Sequence, residues 1–102
     1  MGRASDPRRQ FHRALDAGRL EDAIRFAHFL PVSMDEAARL VALAGRERAT
    51  SFERMAVRFL TVLLEERELT LAEVLWIVHR LQDAHEGHYR EAERALRRFV
   101  AA

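Results

Sequence analysis

Apolar residues recur along this chain at spacings of three and four, the period of a helix buried on one side. Leu20, Ala23, Ala27 and Leu30 form one such stripe. Phe52, Met55, Ala56, Phe59, Val62 and Leu63 form a second, and Leu71, Val74, Leu75, Val78 and Leu81 a third. No segment alternates apolar and polar residues for long enough to predict a strand. Punctuation falls between the stripes. Ser5-Asp6-Pro7 predicts capping followed by proline in the first turn, with a helix over 7–17 stopped by Gly18. A second helix is expected over 20–30, ending before Pro31. Ser33 with Glu36, Thr50 with Glu53, and Thr70 with Glu73 each match the capping box, in which side chains satisfy orphaned N–H groups at a helix start. They place helices over 34–48, 51–67 and 71–85, and Gly87 separates a last helix over 88–100. The expected fold is all-α: about six helices as three antiparallel helical hairpins, forming a short superhelical repeat or a closed bundle. Residues 1–6 read as a flexible N-terminus and 7–102 as a single helical domain.

A repeat at an offset of 37 runs through the pattern. Ser33 maps to Thr70, Glu36 to Glu73 and Phe52 to Tyr89. Met55, Phe59, Val62 and Leu63 then map to Ala92, Leu96, Phe99 and Val100. With this period and the phrase Ala17-Gly18-Arg19-Leu20-Glu21-Asp22-Ala23, the chain resembles helical-repeat modules of the tetratricopeptide or HEAT type. The Trp, Gly and Tyr pattern of the first tetratricopeptide helix is missing. The resemblance therefore implies an architecture and no residue-level function. The Ala-, Arg-, Leu- and Glu-rich style also resembles small helical proteins of actinobacteria.

Composition narrows the function classes. Every one of the 17 basic residues is Arg, Ala also occurs 17 times, and Asn is absent. This points to a GC-rich bacterial genome and weakens any functional reading of the choice of Arg over Lys. Absence of cysteine excludes thiolate chemistry and Cys-based zinc sites. No apolar run reaches membrane-spanning length, and Asp6 breaks the N-myristoylation pattern that begins at Gly2. The cytoplasm is the expected compartment. A net charge of +1 is small for a nucleic-acid binder.

No catalytic constellation emerges. Gly-x-Ser-x-Gly and phosphate-cradling glycine loops are absent, and neither a cofactor nor an enzyme activity is expected. His79, His85 and His88 are the densest histidine cluster. Tyr89 stands where a metalloprotease helix would need its second His, so a solvated helix end is expected there and no metal site.

What remains is surplus apolar surface. Val57, Leu60 and Leu64 widen the apolar arc of the 51–67 helix, which predicts packing on two sides and a central place in the fold. Trp76 lies nearly opposite its helix's stripe, near His79, Arg80 and Asp83, and Phe29 is similarly placed on the second helix. Exposed Trp and Arg are enriched in binding hot spots, so Phe29, Trp76, His79, Arg80 and Asp83 are the candidate protein-interaction residues. The expected role is a non-enzymatic protein–protein interaction module, with another protein or a second copy of itself as partner. The alternative is nucleic-acid binding through Arg90, Arg94, Arg97 and Arg98 on the last helix.

Overall fold

A computed structural model describes residues 6–102. Among them are six helices and no strand: α1 (Pro7–Ala17), α2 (Leu20–Ala27), α3 (Met34–Arg46), α4 (Phe52–Glu66), α5 (Leu71–His85) and α6 (Tyr89–Ala101). The N-terminal segment expected over 1–6 lies outside the described residues except for Asp6. That residue belongs to the fold: its carboxylate accepts the Arg8 N–H and caps α1.

Local signals act where the residues predicted. Gly18 closes α1 in the left-handed conformation, and Gly87 makes the corresponding turn after α5. The Ser33–Glu36 and Thr70–Glu73 capping boxes both form. The Thr50–Glu53 box does not. A turn already leads into α4, with the Phe52 N–H donating to the Ala49 carbonyl, and the capping position falls to Ser51 without a side-chain bond. Arg48 holds the left-handed conformation that ends α3, so that helix stops at Arg46. The second helix ends at Ala27, and turns carry the chain to Pro31.

The hub is α3, which packs on every other helix. Its two flanks feed two cores. Leu40, Ala42 and Leu43 join Phe11, Ala14, Leu15, Ala23, Ala84, Tyr89 and Ala92 in the first. Ala38 and Val41 join Phe59, Leu63, Ile77, Leu81 and Leu96 in the second. Small residues let the neighbours approach. A Cβ built on Gly45 would sit 3.0 Å from the Phe52 ring and 3.1 Å from the Ala84 Cβ. With two cores along one central helix, the molecule measures 52 × 28 × 21 Å.

This arrangement corrects two expectations. The helix now numbered α4 is peripheral: it buries Phe59 and Leu63 against the second core and leaves Val57 and Leu64 in solvent. On α5 the buried line is Ile77, Leu81 and Ala84, whereas Leu71 and Leu75, expected in the core, are exposed. That helix is apolar almost all round, so periodicity alone does not select its inner face.

One polar group is buried at the seam of α1 and α3. Glu36, 4% exposed, accepts the Ser33 N–H within its capping box. It also accepts from Arg8 and lies 2.5 Å from His12 Nε2. Burial alone would raise its pKa. The Arg8 guanidinium, the Ser33 N–H and His12 outweigh burial and hold it at about 2. The same guanidinium donates to the Pro31 carbonyl, fixing the segment that enters α3.

Candidate interaction surface

Two adjacent helices carry most of the large exposed apolar side chains. On α4, Val57 is 63% and Leu64 47% exposed; on α5, Leu71 is 73% and Leu75 50% exposed. Residues 67–70 join the end of α4 to the start of α5. At the far end, the Phe52 ring from the start of α4 stacks on His85 from the end of α5, centroids 5.3 Å apart. The two helices therefore run in opposite directions. Helical spacing sets Val57, Leu60 and Leu64 on one flank of α4, and Leu71, Leu75 and Val78 on the matching flank of α5. Both flanks border the seam between the helices, since His85 lies on the same side of α5 as Val78. At the centre of α4, Thr61 donates its hydroxyl to the Val57 carbonyl at 2.8 Å, so the patch has no unmet hydroxyl there.

The residues first expected to form the site divide between three places. Trp76 is half-buried in the second core: its ring packs on Phe99 at 5.5 Å, and the Arg80 guanidinium lies 5.3 Å from its centroid. Arg80 in turn donates from Nε to Asp83 at 2.9 Å. Trp76, Arg80 and Asp83 thus form one connected unit on the α6 side of α5. Exposed His79 follows Leu75 by one turn and borders the apolar face. Phe29 is 61% exposed but packs on Phe26 beside the first core. It shares no core with Trp76.

The arginines of α6 do come together. Arg90, Arg94, Arg97 and Arg98 line an open groove of about 350 Å³, with Asp35 and Glu93. Arg97 is bound to Asp35 through two hydrogen bonds of 2.8 and 3.1 Å, which raise its pKa further. Arg94 and Arg98 form no ion pair among the described residues. Beneath them, Arg39 bridges Asp16 and Glu93.

The histidines do not converge. His85 is held by its stack on Phe52, and His88 pairs with Glu91 at 3.6 Å. Among the described residues no three His, Asp or Glu side chains are grouped to hold a metal ion, and no helix is long and apolar enough to cross a membrane.

No family profile, curated protein or solved structure matches the chain.

Leu71, Leu75, Val57 and Leu64 are the residues that sequence reasoning misplaced. Their signal was the excess itself: two consecutive helices with more apolar positions than one buried face accommodates.

Proposed function

We propose that this chain is a non-enzymatic interaction module that binds protein through the α4–α5 face. The observation that carries this reading is the exposure of Val57, Leu64, Leu71 and Leu75 on two helices bordering one seam. Isolated exposed leucines are ordinary on a folded surface; a contiguous group on a small domain marks a site that another surface covers. Each Val or Leu gains about 1.5–3 kcal/mol on full burial, and these four retain roughly half of that for a partner. His79 at the border supplies a polar rim.

A photo-reactive amino acid in place of Leu75, compared with one in place of Arg25 on α2, tests the reading in living cells. The position-75 variant is expected to form a discrete protein adduct that Leu71→Asp abolishes. Equal, diffuse labelling from both positions would overturn the proposal.

The α6 groove favours a second reading. Arg90, Arg94 and Arg98 are exposed in one place and could each meet a backbone phosphate. Asp35 and Glu93 in the same groove oppose it. On this reading, duplex DNA binding in anisotropy measurements falls as salt rises and is lost in Arg94→Glu/Arg98→Glu. No binding at low salt excludes it.

A further inference from the structure

The charges of α4 carry the interaction reading further. Among the described residues, α4 is the one helix whose side chains enter no ion pair; the other five each contribute to at least one. Those charges are also sorted along it. Arg54 and Arg58 lie in its first half, Glu65 and Glu66 in its last turn, and Glu68 follows. Arg67, between the acidic residues, is engaged elsewhere, donating to the Phe99 and Val100 carbonyls. Apart from Glu53 in the first turn, this order runs against the helix dipole, whose positive N-terminus favours acids and whose negative C-terminus favours bases. Helix stability therefore does not explain it.

A surface that is apolar in the middle, basic at one end and acidic at the other is complementary to itself after a half-turn. We infer that the partner on the α4–α5 face is a second copy of this chain, with the two α4 helices antiparallel about a two-fold axis near Thr61. Arg58 and Glu65 lie about equally far on either side of that axis, seven residues or roughly 10 Å apart. In the pair, each copy's Arg58 faces the other's Glu65, and Arg54 lies toward the other's Glu68. Val57, Leu60 and Leu64 are then shielded along the seam. Opposed dipoles and opposed charges favour the same antiparallel orientation. The exposed ion pairs set register and are screened by salt, while apolar burial supplies the affinity. This inference rests on the interaction reading above.

Sedimentation of the purified full chain tests it. The wild type is expected to dimerise. Arg54→Glu/Arg58→Glu makes the charges of α4 all acidic, and Glu65→Arg/Glu66→Arg makes them predominantly basic. Each variant alone is expected to dimerise at least tenfold more weakly, and an equimolar mixture to regain association. Because the chain has no cysteine, Thr61→Cys provides an independent readout. It is expected to form a disulfide dimer under mild oxidation, whereas Arg54→Cys does not. A wild type that stays monomeric, a mixture that does not associate, or equal cross-linking by the two cysteine variants would overturn the inference. A monomeric wild type whose position-75 cross-link goes to a different protein would overturn self-pairing and leave the interaction reading standing.

Discussion

Replacing Glu36 by Gln keeps the shape of the side chain and an oxygen able to accept the Ser33 N–H, and removes the charge that Arg8 and His12 face. Its pKa of about 2 in the folded chain lies well below the ordinary 4.5. Each tenfold change in proton affinity is about 1.4 kcal/mol, so the full difference corresponds to roughly 3 kcal/mol. Arg8 and His12 are each more than one-third exposed, and water weakens their attraction. A contribution of about 2 kcal/mol follows. The folded chain holds this carboxylate ionised more strongly than the unfolded chain does. The stabilisation is therefore complete above the ordinary value and disappears as pH falls from 4.5 toward 2. Urea unfolding followed by circular dichroism, repeated from neutral pH down to about pH 3, measures it. Wild type is expected to exceed Glu36→Gln by about 2 kcal/mol at neutral pH, with the gap narrowing steadily below pH 4.5. A gap of constant size across that range would refute the reasoning, because the loss would then come from shape and not from charge.

Two backbone predictions concern the hub helix. Arg48 ends α3 with a positive φ of 51°, which costs a non-glycine residue about 1–2 kcal/mol. Arg48→Gly relieves that cost against an entropy penalty of about 0.5–1 kcal/mol, so a net gain of about 0.5 kcal/mol is expected in the urea midpoint. Gly45→Val drives methyl groups into the Phe52 ring and the Ala84 backbone, and a loss of about 2 kcal/mol or more is expected by the same assay. Unchanged stability in Gly45→Val would mean that α3, α4 and α5 do not approach so closely.

The helical content and most helix ends were readable because they depend on neighbours in sequence. Asp6, Gly18, Ser33, Thr70 and Gly87 act on backbone groups a few residues away, and each does so in the structure. Thr50 misled because its signal competes with a local turn, in which the Phe52 N–H donates to the Ala49 carbonyl and moves the capping position to Ser51. Which face turns inward was less legible. On α5 the choice between the Leu71–Leu75 line and the Ile77–Leu81–Ala84 line depends on how α3 and α6 dock, and the helix offers apolar residues to both. On α4 the wide arc was visible, but an arc that meets a second helix looks the same in sequence as one left facing solvent. Trp76 escaped for a related reason. Helical spacing sets Arg80 one turn from its ring, but the cover from Phe99 comes from the last helix and is not readable within α5. The order of charges along α4 stands in the sequence, but that none of them has a partner depends on where the other helices dock and became visible only in three dimensions.

Hydroxyl-radical footprinting of side chains tests the central claim most directly. The chain is labelled in dilute purified form and again in concentrated extract of its native cells. In dilute solution Val57, Leu64, Leu71 and Leu75 should label readily, as their exposure requires, alongside Phe29. In extract, protection should fall on those four and spare Phe29. Equal labelling of the four in both samples, or protection centred on Phe29, would contradict the claim that the α4–α5 face is covered by another protein surface.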